Sequence, residues 1–179
     1  MDAFERRSSR RIYENPHIAV EVHEIVRAGG STGEHVLVVT PPAAAVLIGD
    51  GGDFLFARQP RFGARAETLE VVKGGANEGE SPLDCAKREA REELGVVAAH
   101  WESLGQVLEI PSIMNSPVEL FYAHGIEHVD PDEDEGEQVT LVRIPADVAT
   151  RAAASGQIDD AVTLAALLRY GLRANLLRL

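Results

Sequence analysis

Apolar and polar positions alternate early in the chain. From His17 to Val26, Ile18, Val20 and Val22 fall on a period of two, the mark of a strand with one covered face. Gly29-Gly30-Ser31-Thr32-Gly33 reads as a turn, and His35–Thr40 as a second strand. Together they predict a small β unit over residues 1–41, with Pro41-Pro42 marking the join to a main body over 42–179. The first sixteen residues are polar and basic (Arg6, Arg7, Arg10, Arg11) and suit either a frayed tail or an edge strand. Ala43–Ile48 is an unbroken apolar run, the pattern of a strand buried on both faces. Gly49-Asp50-Gly51-Gly52 then signals a hairpin turning into a strand at Asp53–Arg58. Further strands are predicted at 68–72, 96–101, 103–110, 118–124 and 138–144, with loops at 111–117 and 130–137. Helices are predicted over 145–154 and 158–172, with Gly156 breaking between them.

Between these strands the period changes to three and four. Leu83, Ala86, Ala90 and Leu94 form one apolar stripe. Ser81 suits the N-cap, Pro82 the first helical position, and Gly95 the C-terminal stop. The helix carries Glu89, Glu92 and Glu93, with Arg88 beside them. Glu89 and Glu93 are four residues apart and stack on one face, where like charges cost a few tenths of a kcal/mol. A divalent cation held by oxygen ligands would offset that repulsion. A solvated, glutamate-rich surface helix is the plainer alternative. Ahead of the helix, Lys73-Gly74-Gly75 is a backbone able to turn sharply and offer a carbonyl to a metal.

Gly74, Glu80, Arg88, Glu89, Glu92, Glu93, Gly95 and Val96 match every defined position of G-x5-E-x7-R-E-U-x-E-E-x-G-U, where U is apolar. That pattern resembles the Nudix box. The resemblance implies an α/β fold: a Nudix α/β/α sandwich on a mixed sheet with a small N-terminal β unit. It implies Glu89 and Glu93 as main metal ligands, Glu92 as a third ligand or a base, and the Lys73 carbonyl as a further ligand. Arg88 is implied to orient the carboxylates, and the cofactor to be Mg2+, with Mn2+ as a substitute. The N-terminal β unit, the segment Arg58-Gln59-Pro60-Arg61, Pro111 and two C-terminal helices resemble the ADP-ribose pyrophosphatase branch. Arg58 and Arg61 then become candidates for holding substrate phosphate, and the N-terminal strands for building a homodimer. The loop glutamate of that branch would fall at Ser116; Glu119 is the nearest carboxylate and is carried as a catalytic candidate beside Glu92 and Arg88. The Lys73-Gly74 start with Pro111-Ser112 is similar to Nudix hydrolases of broader ADP-linked compounds. Hydrolysis of the pyrophosphate bond of ADP-ribose or a related compound is the implied activity. A nucleotide-sugar hydrolase or a catalytically silent nucleotide-binding module are the alternatives.

A net charge of −12 argues against a nucleic-acid backbone partner, though not against a small anionic nucleoside diphosphate derivative once cations are bound. Cys85 is the only cysteine, so no intrachain disulfide forms, and its place in the helix suits a packing residue. No apolar run approaches membrane-spanning length and no signal pattern opens the chain, so no membrane partner and a cytoplasmic location are the default. The acidic run Asp130–Gly136 has its glycine one place late for a calcium loop and reads as a solvated loop.

Overall fold

The computed structural model describes residues 4–130 and 138–177; from residue 131 the expected acidic loop lies outside the described residues. In chain order the elements are β1 Phe4–Glu14, β2 Ala19–Arg27, β3 Thr32–Val39, β4 Ala43–Asp50, β5 Asp53–Arg61, β6 Ala66–Glu70 and β7 Val72–Gly75. Then come α1 Pro82–Leu94, β8 Val96–Leu108, β9 Met114–Asn115, β10 Pro117–His128, β11 Thr140–Pro145, α2 Ala146–Ala154 and α3 Ala161–Arg173. They fall into two compact units, one running to Pro42 and including Leu108–Pro117, the other comprising Ala43–Val107 and the chain from Val118.

The first unit holds a four-stranded sheet in the order β1-β2-β3-β9. Strands β1, β2 and β3 pair antiparallel, and β9 adds in parallel at Val38 and Val39. The basic N-terminal stretch is thus an edge strand, exposed at every position, while Ala19, Val22 and Ile25 of β2 are buried. The segment 111–117, expected as a loop, supplies β9 because its backbone groups find partners on the open edge of β3.

In the second unit the sheet follows β11-β5-β4-β10-β8, with β6 on β5 and β7 on β4. The apolar run sits on β4, where Ala44–Ile48 are at most 1% exposed, as a strand covered on both faces requires. β4 pairs in parallel with β10 and antiparallel with β5 and β7, so the sheet is mixed. Its side chains alternate between two cores. Ala44, Val46 and Ile48 pack with Cys85, Ala86, Ala90 and Leu94 of α1. Ala45 and Leu47 pack with Ala149 of α2 and Val162, Ala166 and Leu167 of α3. Helices therefore cover both faces, giving the α/β/α sandwich on a mixed sheet that the sequence predicts.

Three further elements differ from expectation. The strand at 68–72 is two strands, β6 and β7, which add to different neighbours. At the switch, the Val71 N–H donates to Thr163 Oγ1 at 2.9 Å. The strands at 96–101 and 103–110 are one strand, β8, in which Gly105 absorbs an irregularity at φ +83°. α3 begins at Ala161 rather than 158, because Asp160 caps it by accepting the Thr163 N–H at 2.9 Å. Among the described residues no helix is long and apolar enough to cross a membrane.

Candidate active site

α1 forms where its caps and its stripe require it. Ser81 Oγ accepts the Asp84 N–H at 3.1 Å, and Gly95 ends the helix in the left-handed region at φ +60°. The buried stripe is Cys85, Ala86, Ala90 and Leu94; Cys85 takes the place expected for Leu83, which is only half-buried. The small residues let α1 lie close over β7. At Gly74 a Cβ would come within 2.0 Å of the Glu89 carboxylate, so the absence of a side chain there gives that carboxylate its position.

Arg88 organises the carboxylates around it. Its Nε and Nη2 donate to the two Glu80 oxygens at 2.9 and 3.0 Å. Nη1 donates to Glu89 Oε1 at 2.7 Å and to Glu92 Oε2 at 2.8 Å, and Nη2 also reaches the Gly75 carbonyl at 2.9 Å. The Glu80 hydrogen bonds lead in raising the Arg88 pKa above its ordinary value, and Arg88 in turn lowers that of Glu80. The charge that offsets Glu89 and Glu92 here is this guanidinium. Glu93 lies one turn beyond Glu89 and has an oxygen shut off from solvent.

Glu119 lies on the same face of the sheet as α1. It pairs with Ala44 across β10 and β4, and Ala44 pairs with Gly74 across β4 and β7. Paired residues share a face, and Ala44 packs under α1. Glu119 and Gly74 are thus separated by two strand spacings, roughly 10 Å. The Glu119 carboxylate accepts from Gln106 Nε2 at 3.0 Å. Ser116 is buried, and its hydroxyl donates to Glu109 at 2.7 Å.

The expected basic residues form a second network. Arg61 Nε and Nη2 hold the buried Glu70 carboxylate in a fork at 3.0 and 2.7 Å. Lys73 Nζ lies 3.1 Å from Glu70 and donates to Asp160 at 2.6 Å, at the N-terminus of α3. Burial alone would raise the Glu70 carboxyl; hydrogen bonds from Arg61 and Thr68 and the Lys73 charge reverse this and bring it down to about 2. Arg58 stands exposed on β5. The predicted residues therefore divide: Arg88, Glu89 and Glu92 are joined with Glu80, whereas Arg61 and the Lys73 side chain are joined with Glu70 and Asp160. Sequence reasoning missed Glu70, although a carboxylate inside the apolar run Leu69-Glu70-Val71-Val72 was a visible signal.

The donors on α1 suit a hard divalent cation in kind, since all are carboxylate oxygens. Burial first, and the Glu89 charge next, push the Cys85 thiol up to about 11, so it is protonated at neutral pH. Among the described residues no three His, Cys, Asp or Glu side chains already converge as a metal cluster. Glu89, Glu92, Glu93 and the Lys73 carbonyl are the groups that would hold the cation, with Arg88 yielding part of its hold on Glu89 and Glu92.

Comparison with known proteins matches residues 39–173 to the NUDIX domain. The NAD-capped RNA hydrolase NudC of Pseudomonas aeruginosa is 33% identical over 141 residues, covering 76% of this chain and 49% of that protein. The chain thus spans about half the length of that relative, and 35% of the corresponding protein of Pseudomonas putida strain GB-1. The CMP-5'-(N-acetyl-N-hydroxy-3-aminopropyl)phosphonate hydrolase of Streptomyces rubellomurinus is 26% identical over 163 residues, covering 90% of this chain and 79% of that one. A crystal structure of an ADP compounds hydrolase superposes with a TM-score of 0.85 at 19% identity, covering 96% of this chain and 94% of that chain.

Proposed function

The chain belongs to the Nudix family, and from that premise we propose that it hydrolyses the pyrophosphate bond of ADP-ribose or a related ADP-linked compound. The observation that carries this reading is the carboxylate array of α1, fixed by Arg88 and seated over Gly74, with Glu119 on the same sheet face. With a divalent cation bound, an array of this kind suits a ligand whose charge is a bridged diphosphate. When bound, a divalent cation, Mg2+ or in its place Mn2+, supplies Lewis acidity toward the diphosphate oxygens. Glu89 and Glu93 would hold it, with Glu92 and the Lys73 carbonyl as further protein ligands, while Arg88 orients Glu89 and Glu92. Glu119 takes the proton of the attacking water. That role is supported by its neutral partner Gln106, where Glu92 already accepts from Arg88. Water attacks one phosphorus, the bridging P–O bond breaks, and AMP leaves with ribose 5-phosphate as co-product. Arg58 is exposed on β5 but pairs with Leu69 on the face of α2 and α3, so it is kept as a phosphate-holding candidate only at the edge of the sheet, and Arg61 reaches phosphate only by giving up part of its fork with Glu70. The likeness to the ADP compounds hydrolase supports the ADP-linked class.

A second reading follows from the NudC relatives, named for hydrolysis of NAD-capped RNA: the diphosphate cut would be that of an NAD-derived cap. It brings in a nucleic-acid partner that the −12 charge disfavours. One panel separates the two. ADP-ribose, NADH, diadenosine polyphosphates, a nucleotide sugar and an NAD-capped oligonucleotide are each incubated with Mg2+ and with Mn2+, and products are resolved by mass spectrometry in oxygen-18 water. AMP and ribose 5-phosphate from ADP-ribose, with label in one product only, is the expected result. Cleavage of the capped oligonucleotide alone favours the second reading, and no cleavage of any ADP-linked compound removes the first.

A further inference from the structure

β7 is four residues long and, among the described residues, pairs with β4 alone, at residues 43–46. Its side chains alternate between faces. Gly74 pairs with Ala44, which packs under α1, whereas Lys73 pairs with Ala45, which packs toward α2 and α3. So α1 lies over one face of β7, and the first turn of α3 holds the other. Thr163 is fully buried there. Its Oγ1 accepts the Val71 N–H at 2.9 Å and donates to Asp160 Oδ2 at 2.7 Å. The second Asp160 oxygen, Oδ1, accepts from Lys73 Nζ at 2.6 Å. The chain entering β7 is thus gripped at 71 by its backbone and at 73 by its side chain.

Capping α3 accounts for only part of this grip. A cap needs one side-chain oxygen for one N–H, here Asp160 Oδ2 for that of Thr163 at 2.9 Å. The other Asp160 oxygen and the Thr163 hydroxyl serve the strand. The switch between β6 and β7 supplies the reason: Val71 belongs to neither strand, and a buried N–H rarely stays unpaired. The fit on the opposite face is close, since even a Cβ on Gly74 would come within 2.0 Å of the Glu89 carboxylate. A misplacement of about 1 Å, caused far from the chemistry, can cost about a hundredfold in rate. On the reading of α1 as the metal helix, we propose that Asp160 and Thr163 are positioning residues for the cation site. They fix β7 so that the Lys73 carbonyl and Gly74 stand correctly under Glu89, and so they set metal affinity from the opposite face of the sheet.

Four variants of the full chain test this. Thr163→Val keeps the branched shape and removes the hydroxyl, and Thr163→Ser keeps the hydroxyl. Asp160→Asn retains one oxygen to cap α3 but offers Lys73 no charge. Leu164→Ala trims the neighbouring position of α3, which packs on the core and makes none of these bonds. Circular dichroism and a thermal melt check that each is folded. Mn2+ is titrated into each chain without substrate, and the bound ion is read by electron paramagnetic resonance. Thr163→Val and Asp160→Asn are expected to weaken Mn2+ by about fivefold, and Thr163→Ser and Leu164→Ala by less than about twofold, even where the melting temperature falls. Unchanged affinity in Thr163→Val and Asp160→Asn, or an equal loss in Leu164→Ala, overturns the proposal. Glu93→Gln tells this failure from that of the metal reading. If Glu93→Gln binds Mn2+ as the unaltered chain does, or neither binds it, α1 is not the metal helix and both fall. If Glu93→Gln alone loses the ion, the metal reading stands and only the positioning role falls.

Discussion

A Cβ at position 74 would meet nothing rigid: its nearest neighbours are the far end of the Glu89 side chain, at 2.0 to 2.5 Å. Gly74→Ala should therefore displace that carboxylate rather than the fold. Thermal stability should change by less than about 1 kcal/mol, while turnover falls by tenfold or more; a melt and an initial-rate assay read the two separately. Glu93→Gln removes one carboxylate charge and its repulsion with Glu89. It should cut turnover by at least about a hundredfold and leave the metal-free melting temperature level or slightly higher. Most of the activity surviving that change would sink the assignment of α1 as the metal helix. Glu70 makes a pH prediction. Its folded carboxyl titrates near 2 against an ordinary 4.5, so the unfolded chain takes the proton first as pH falls. Its contribution, of the order of 3 kcal/mol, is complete above about pH 4.5 and lost as pH falls toward about 2. Glu70→Gln should flatten melting temperature against pH in that window. It should also cost about 1–3 kcal/mol at neutral pH, because Arg61 loses its fork with Glu70 while Lys73 keeps Asp160. Equal slopes for the two proteins would show that another group carries the acid sensitivity.

At the scale of elements, α1 depends on its ends. Ser81→Ala removes the acceptor of the Asp84 N–H and should lower stability by about 1 kcal/mol in chemical denaturation. The loss in turnover should be larger than that figure suggests if the first turn also positions Arg88 against Glu80. This helix was legible in the sequence to within a residue at each end, because cap, stripe and stop are local signals. The break between β6 and β7 was not. Thr68–Val72 reads as one strand by composition, yet its two halves pair with β5 and β4, and only the positions of those partners divide it. Strand β8 went the other way: the two strands expected on either side of Glu102 are one ladder, with Gly105 as a tolerated irregularity inside it.

For the whole molecule, the edge strand β1 sets the expectation. All eleven residues are exposed, among them Phe4, Ile12 and Tyr13, each more than half accessible. A long edge with exposed apolar side chains invites pairing with another chain. We expect a homodimer through the N-terminal strands, measured by light scattering at low micromolar concentration, and Phe4→Ser with Ile12→Ser to shift it toward monomer. A monomeric mass for the unaltered chain would count against this reading.

The sequence by itself determined what is written in short range. The box spacing identified the family, the change from period two to period three and four located α1 among strands, and the apolar run foretold the buried β4. It also named Arg88 as the group beside Glu92, since i, i+4 neighbours on a helix meet whatever the rest of the chain does. Tertiary structure alone decided which charges share a network. Glu80 and Arg88 are brought together by the turn before α1, and Glu70 meets Asp160 through Lys73 across most of the second unit's sequence. It decided too that Glu119 shares a row with Gly74, because strand register joins residues 45 positions apart on no local signal. Periodicity records which way a side chain faces its own element; only pairing and packing, driven by burial of the two cores, settle what it faces.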